Sequence, residues 1–335
     1  MMSVPPARTL SDAFDVLLFD LDGVIYIGAD PVPYAVDSLN AARAAGNRLG
    51  FLTNNASRRT QTVADHLTRL GIRGVTAADV VSSPEAAVPL LAQRIPAGAE
   101  VLVVGGDGLR WEVENAGFRI TTVATPDTAG VIQGFTPELT WNDLAEASYA
   151  IEAGAVWVGT NGDWTIPREK GVAPGNGTLL AAVHTATGKF PEVAGKPERP
   201  IYDVARRRFA ATRPLAIGDR LDTDILGAHR GEMDSLLVLT GVDTPLTVLR
   251  ADPDQRPTYI ARDLRALNEY YEPAVLNGNT AECGTVSARL DRAILTITHG
   301  DVRSVEALRA ACALVWTSNV PPTAIQVPAG LGEGE

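Results

Sequence analysis

The chain has little cysteine, little histidine and no long hydrophobic run. Among its 335 residues are two cysteines, Cys283 and Cys312, too few for a disulfide framework. The four histidines and the cysteines show no zinc-ligand spacing. No stretch of about 18 uninterrupted apolar residues occurs, and the first residues lack the pattern of a signal peptide. We therefore expect a cytoplasmic protein that neither spans a membrane nor is exported.

Positive charge is also scarce. The chain has 29 basic and 40 acidic residues and a net charge of −11 at pH 7. This balance argues against partners such as nucleic acid or an anionic membrane, so an anionic substrate would need a local positive site. With 45% apolar residues, the chain is long enough to bury a substantial core and to form two or three domains.

Short apolar runs alternate with helical patterns, which is typical of βαβ units in a mostly parallel sheet. The patterns predict strands at 16–19, 49–52, 214–217 and 236–239, and helices at 35–45, 60–70 and 201–211. We predict an α/β protein with a Rossmann-like, doubly wound parallel sheet. The predicted parts are a discontinuous core at 12–80 and 192–272, an inserted α/β cap at 81–191, and an α+β C-terminal appendage with a flexible tail at 273–335.

The appendage has too few residues to bury much surface alone. Residues 284–300 predict one long strand or a hairpin, and 305–316 predict an amphipathic helix with Leu308, Val315 and Trp316 on one face. This face must pack on the core of its own chain or on another subunit. Residues 321–335 are rich in Pro and Gly, which indicates the flexible tail.

Two carboxylates, those of Asp20 and Asp22, follow the first predicted strand directly. Two like charges so close repel each other, which suggests a bound divalent metal with one carboxylate left to react. The same residues have a second interpretation, because Asp22-Gly23 between two apolar runs is also a β-hairpin signal. This segment alone does not decide between the two.

Further polar residues follow other predicted strands or precede a helix. They are Thr53, Asn54 and Asn55 after the second strand, Asp219 and Asp224 after the strand at 214–217, and Lys196 ahead of the helix at 201–211. Ligands of open parallel sheets bind at the carboxyl ends of the strands. The carboxylates could hold Mg²⁺ there, while the hydroxyl, amide and ammonium groups surround a phosphate. Each motif alone could also be a turn, a cap or a strand end.

Together and in this order, the motifs resemble those of the haloacid dehalogenase (HAD) superfamily of phosphotransferases. The matching segments are Asp20-Leu21-Asp22-Gly23-Val24, Thr53-Asn54, Lys196, and Gly218-Asp219 with Thr223-Asp224. The insert ends near Thr160-Asn161-Gly162-Asp163, which could be a simple turn or could place polar side chains over the active site. An insert of this length resembles subclass IIA, the nitrophenylphosphatase-like group. Over residues 14–264 the chain is similar to this group, and most similar to actinobacterial glycerol 3-phosphate phosphatases.

The resemblance implies a Mg²⁺-dependent phosphatase that acts on a small phosphorylated metabolite, first of all glycerol 3-phosphate. It implies that Asp20 attacks phosphorus and that Asp22 is the general acid and base. The implied metal ligands are Asp20, the backbone carbonyl of Asp22, and Asp219, with Asp224 in a supporting position. The implied substrate-binding residues are Thr53, Asn54, Asn55 and Lys196.

Other functions fit the sequence less well. The chain lacks the motifs of serine hydrolases and P-loop kinases. A non-catalytic sensor of phosphorylated metabolites would keep the pocket without turnover, but the intact Asp20 and Asp22 favour an enzyme. Sugar, polyol, glycolate, nucleotide and pyridoxal phosphates are alternative substrates. A homo-oligomer could form through the cap or the appendage.

Overall fold

The structure of the chain is a computed structural model, and it describes residues 9–168 and 170–334. The α-helices are α1 (Leu10–Ala13), α2 (Ala35–Ala44), α3 (Thr60–Arg69), α4 (Ser83–Ala92), α5 (Asp107–Asn115), α6 (Trp141–Glu152), α7 (Asn176–Thr187), α8 (Arg199–Arg208), α9 (Leu226–Arg230), α10 (Pro245–Leu249) and α11 (Val305–Thr317).

The strands alternate with these helices along most of the chain. They are β1 (Val16–Phe19), β2 (Tyr26–Ile27), β3 (Asp30–Pro31), β4 (Arg48–Thr53), β5 (Val80–Ser82), β6 (Glu100–Val104), β7 (Arg119–Thr121), β8 (Thr128–Gln133), β9 (Val156–Gly159), β10 (Thr165–Arg168), β11 (Gly171–Pro174), β12 (Glu192–Val193), β13 (Pro214–Gly218), β14 (Asp234–Val238), β15 (Tyr259–Ala261), β16 (Val275–Asn277), β17 (Thr280–Cys283), β18 (Val286–Asp291) and β19 (Ile294–His299).

The chain divides into two compact units. The first comprises Met1–Leu49 and Thr212–Glu335, and the second comprises Gly50–Ala211. These limits differ from those of the predicted core, cap and appendage, because α4 packs on α8 as well as on α5 and β9 of the insert. The division into core, cap and appendage remains a prediction.

In the first unit, parallel strands lie in the order β15-β14-β13-β1. All four residues of β1 are buried, as expected for a strand covered on both faces. β1 pairs in parallel with β13, whereas the residues after Gly23 form the short pair β2 and β3. The hairpin interpretation of Asp22-Gly23 with β1 is therefore wrong, and the predicted parallel α/β fold is confirmed.

The second unit contains the parallel pair β4 and β5 and a separate five-stranded sheet with the order β12-β9-β8-β6-β7. Helices α6 and α7 cover one face of this sheet around buried residues such as Val131, Ile151 and Leu180. The strands β10 and β11 form an antiparallel hairpin. The insert thus has its own α/β layers.

The C-terminal residues form an antiparallel sheet, β16-β17-β18-β19, against which α11 packs. Residues 284–300 form the hairpin alternative, and the predicted helix is α11. Its buried Leu308 and Val315 share a hydrophobic cluster with Leu237, Val248 and Leu249. The apolar face of α11 is therefore covered by its own chain.

The end of the chain differs from the expected flexible tail. Ile325 and Leu331 are buried in the same cluster as α11. Gln326 donates its backbone N–H to Ala293 O and accepts a hydrogen bond from Leu295 N. Two buried apolar side chains and these hydrogen bonds therefore dock the Pro- and Gly-rich segment on the appendage at Ile325, Gln326 and Leu331.

No α-helix among the described residues is long and apolar enough to cross a membrane. The predicted absence of a signal peptide rests largely on residues 1–8, which lie outside the described residues.

Candidate active site

Three carboxylates of the first unit lie together at the carboxyl ends of β1 and β13. Asp20 donates its backbone N–H to Ile217 O at 2.8 Å, so it leaves β1 beside the end of β13. Asp219 follows β13, and Asp224 lies in the π-helical turn Leu221–Ile225. Each of the three acids offers an oxygen within 4.8 Å of the other two. Asp219 and Asp224 are buried, so their negative charge favours a cation at this point.

The geometry of this cluster does not decide the predicted roles of Asp22 and Asp224. The Asp224 carboxylate belongs to the same group as those of Asp20 and Asp219, whereas it was expected in a supporting position. Asp22 is exposed and forms a backbone bridge with Tyr26. The assignments of Asp22 and Asp224 therefore remain predictions.

Three glycines make room for the buried carboxylates. A side chain at Gly23, where φ is +83°, or at Gly241 would overlap the Asp219 carboxylate. A side chain at Gly218 would overlap Asp224. Because these carboxylates lie directly against backbone, the cluster tolerates only glycine at these positions.

The predicted phosphate-binding residues lie in the second unit, at the end of β4 and after β12. Thr53 and Lys196 are buried, with 3% and 4% of their surface exposed. Thr53 Oγ1 accepts a hydrogen bond from Asn55 N at 3.1 Å. The exposed Asn55 turns its Oδ1 to Ser57, which donates from N at 2.9 Å and from Oγ at 2.8 Å.

The side-chain amide of Asn54 forms hydrogen bonds with both the C=O and the N–H of the Lys196 main chain. Its Nδ2 donates to Lys196 O at 2.9 Å, and its Oδ1 accepts from Lys196 N at 2.8 Å. Nδ2 also donates to Asp163 Oδ1 at 2.9 Å. The structure thus joins Asn54 and Lys196, 142 residues apart, as the sequence predicted for two motifs of one site.

The segment Thr160-Asn161-Gly162-Asp163 is more than a turn. Asn161 Nδ2 donates to Asn54 O at 2.8 Å, and Asn161 Oδ1 accepts from Asp163 N at 3.2 Å. Asn176, at the start of α7, donates its Nδ2 to Asn161 O at 2.8 Å. The segment therefore places polar side chains against the end of β4, which was one of its two interpretations.

Known proteins resemble this chain over most of its length. Residues 17–119 match the family model of haloacid dehalogenase-like hydrolases, and residues 193–267 match a HAD-hydrolase-like model. A D-glycerol 3-phosphate phosphatase of Mycobacterium tuberculosis is 45% identical over 262 residues, which are 78% of this chain and 73% of that protein. The chain belongs to the haloacid dehalogenase-like hydrolases.

Other members of this HAD family are also similar. The human glycerol-3-phosphate phosphatase is 35% identical over 72% of this chain and 84% of its own. A crystal structure of glycerol phosphate phosphatase from Mycobacterium tuberculosis in complex with magnesium has a TM-score of 0.84 at 39% identity, and the match covers 94% of both chains. A 4-nitrophenylphosphatase from Thermotoga maritima has a TM-score of 0.71 at 28% identity, over 78% of this chain and 98% of its own. The resemblance to nitrophenylphosphatase-like HAD enzymes is thereby confirmed.

The segment after β14, which the sequence motifs did not indicate, braces the loop that carries Asp219. Val242 N donates to Asp219 Oδ2 at 2.7 Å, and Asp243 Oδ2 accepts from Leu221 N at 2.7 Å. Thr240 Oγ1 donates to Gly23 O at 2.6 Å. The available signal was Thr240-Gly241 at the end of another parallel strand, where functional residues are expected.

Proposed function

We propose that this protein is a Mg²⁺-dependent phosphatase that hydrolyses a small phosphate monoester, with glycerol 3-phosphate as its substrate. The meeting of Asp20, Asp219 and Asp224 within 4.8 Å carries the proposal. Mg²⁺ prefers oxygen ligands at about 2.1 Å, so opposite ligands of an octahedral ion lie about 4.2 Å apart. The donor set and its spacing therefore fit this ion. The names of the relatives and the magnesium complex of the similar structure support the same function.

In the proposed reaction, Asp20 is the nucleophile and Asp22 the general acid and base. An oxygen of Asp20 bonds to phosphorus, and the bond between phosphorus and the alcohol oxygen breaks as Asp22 gives its proton to that oxygen. Asp22 then takes a proton from water, whose oxygen bonds to phosphorus and displaces Asp20. When bound, the metal ion offsets the negative charge of the phosphate and of the acidic residues around it.

We further propose that Thr53 and Lys196 bind the phosphate oxygens through the hydroxyl and ammonium groups. Lys196 is a buried cation in a chain of net charge −11, which supports a local role in binding an anion. Asn55 is also proposed to bind the substrate. Its Oδ1 already accepts hydrogen bonds from Ser57.

Phosphate release tests this function. We expect turnover with Mg²⁺, none with a chelator, and the highest kcat/KM for glycerol 3-phosphate among sugar, polyol, glycolate, nucleotide and pyridoxal phosphates. A preference for a nucleotide would refute the substrate but not the chemistry. Binding of a phosphate ester without any turnover would favour a non-catalytic sensor of phosphorylated metabolites.

We also propose a cytoplasmic location, with which the buried, unbridged thiols of Cys283 and Cys312 are compatible. We also propose that the protein forms a homo-oligomer through the cap or the appendage. Measurement of mass in solution tests it.

A further inference from the structure

The side-chain amide of Asn54 has no N–H left for a phosphate. An asparagine side chain carries two N–H donors on one nitrogen and an acceptor oxygen. Both donors are engaged, one by Asp163 Oδ1 and one by Lys196 O, each at 2.9 Å. The oxygen accepts from Lys196 N, and a phosphate dianion has no proton to give it. The sequence motif suggested a substrate ligand, but this amide is directed at the protein.

The backbone of Asn54 is held as firmly as its side chain. Its carbonyl oxygen accepts from Ser83 Oγ and from Asn161 Nδ2, each at 2.8 Å. Both donor residues are buried, with 0% and 3% of their surface exposed. Asn54 therefore cannot turn its amide elsewhere without breaking hydrogen bonds to several chain segments.

The segment before Lys196 is shaped to receive this amide. A Cβ at Gly195 would lie 2.5 Å from Asn54 Oδ1 and 2.6 Å from Thr160 O, closer than real Cβ atoms come. Gly195 N donates to Thr160 O at 2.7 Å. Glycine at this position therefore allows Asn54 Oδ1 and Thr160 O to contact the main chain directly before Lys196.

We infer that Asp163 is a positioning residue of the reaction: through Asn54 it fixes the backbone of Lys196. Asn54, Asp163 and Lys196 together are the Asn54 clamp. Asp163 comes from the insert, 109 residues beyond Asn54, so the insert contributes to the placement of the cation and not only to recognition of the alcohol. The inference rests on the proposed function, in which Lys196 binds phosphate.

A positioning role for Asp163 predicts a uniform effect on substrates. Asp163→Ala removes the acceptor that orients the Asn54 amide, whereas Asp163→Asn keeps an oxygen that can accept the same hydrogen bond. A buried N–H donor that loses its acceptor costs about tenfold or more in an equilibrium. We expect Asp163→Ala to lower kcat/KM at least tenfold, by the same factor for glycerol 3-phosphate and para-nitrophenyl phosphate. Asp163→Asn should restore it to within about threefold of the unmodified protein.

The matched control is Asp127→Asn, the same chemical change at an exposed position of the same insert. It should leave kcat/KM unchanged. Orthovanadate, which imitates the phosphoryl group in transfer, should inhibit Asp163→Ala more weakly than the unmodified protein, because Lys196 would no longer be held in place. If Asp163 has a purely structural role, Asp163→Ala should lower the melting temperature while inhibition by orthovanadate stays as strong as in the unmodified protein.

A second measurement needs no variant. In the unmodified protein, the two side-chain amide protons of Asn54 should be protected from solvent exchange in NMR, and their signals should move little when inorganic phosphate binds. Large shifts of these signals would mean direct contact with phosphate and would overturn the inference.

Unchanged kcat/KM in Asp163→Ala would also overturn the inference, and so would losses that differ more than fivefold between the two substrates, since Asp163 would then read the alcohol. These results are judged against turnover of the unmodified protein. If that protein releases no phosphate from any ester with Mg²⁺, the proposed function fails, while the NMR result still decides whether the Asn54 amide is committed to the clamp.

Discussion

Glu112 on α5 is a half-buried carboxyl whose ionisation should weaken the fold. Burial first, and then the negative charge of Glu85, raise its pKa from an ordinary 4.5 to about 7 against the opposing effect of Arg208. Glu85 on α4 is itself engaged, because it accepts from Ser82 N at 2.9 Å and pairs with Arg208 on α8, also at 2.9 Å. With its raised pKa, Glu112 keeps its proton to a higher pH than an ordinary carboxyl does.

The sign of the pH dependence follows from the raised pKa of Glu112. Below pH 4.5 the carboxyl is protonated in both the folded and the unfolded chain, and it has no effect on stability. Between pH 4.5 and 7 the unfolded chain loses the proton while the folded chain keeps it, so the free energy of unfolding falls as pH rises. Above pH 7 the loss is complete. The full shift corresponds to about 3 kcal/mol, and solvent screening at this partly exposed side chain reduces it to about 1–2 kcal/mol.

The substitution Glu112→Gln removes this titration while keeping the shape of the side chain. We expect it to stabilise the protein by less than about 1 kcal/mol at pH 5 and by about 1–2 kcal/mol at pH 8. Urea unfolding at both pH values measures the difference. Glu114→Gln, at an exposed position of the same helix, is the control and should change stability equally at both. The reasoning is refuted if Glu112→Gln stabilises the protein no more at pH 8 than at pH 5.

Four further substitutions test the site and the core. Asp20→Asn should abolish phosphate release, and Asp22→Asn should lower kcat about 10²–10⁴-fold with Mg²⁺ binding largely kept; near-normal turnover of either would remove that residue from the mechanism. Gly241→Ala should place a methyl group against the Asp219 carboxylate and raise the Kd for Mg²⁺ at least tenfold by calorimetry; an unchanged Kd would contradict the geometry. Leu308→Ala empties a fully buried position and should lower the free energy of unfolding by about 2–5 kcal/mol in urea, whereas a loss below 1 kcal/mol would mean that the appendage is loosely packed.

The carboxylate cluster could be predicted because its causes are local. The apolar runs that form β1 and β13 are each followed directly by an acid, and parallel pairing brings Phe19 opposite Ile217. Asp20 then comes opposite Gly218, and Asp219 is the next residue along the chain. The distance of Asp224 from them could not be predicted, because it depends on the π-helical turn Leu221–Ile225, which has no clear sequence signal.

Contacts between distant segments explain most of what the sequence did not predict. Arg208, at the end of α8, donates to Val80 O and pairs with Glu85, 123 residues away, and the charge pattern of the helix identifies neither partner. Asp163 likewise had two equal interpretations until the fold placed it beside Asn54. Periodicity identifies the face of a helix, but it does not identify the residue from another segment that meets it.

The appendage has a closer connection to the chemistry than its place in the sequence suggests. It follows all the family motifs, so a chain that ends before it would still contain every residue of the proposed reaction. In the structure, Leu221 and Ile225 belong to the same hydrophobic cluster as Leu308 and Val315 of α11. Leu221 and Ile225 flank Asp224, and packing of their side chains fixes the turn that brings its carboxylate to Asp20 and Asp219. Removal of the appendage would expose this cluster, so its effect should include the affinity of the carboxylates for Mg²⁺ and not only the melting temperature.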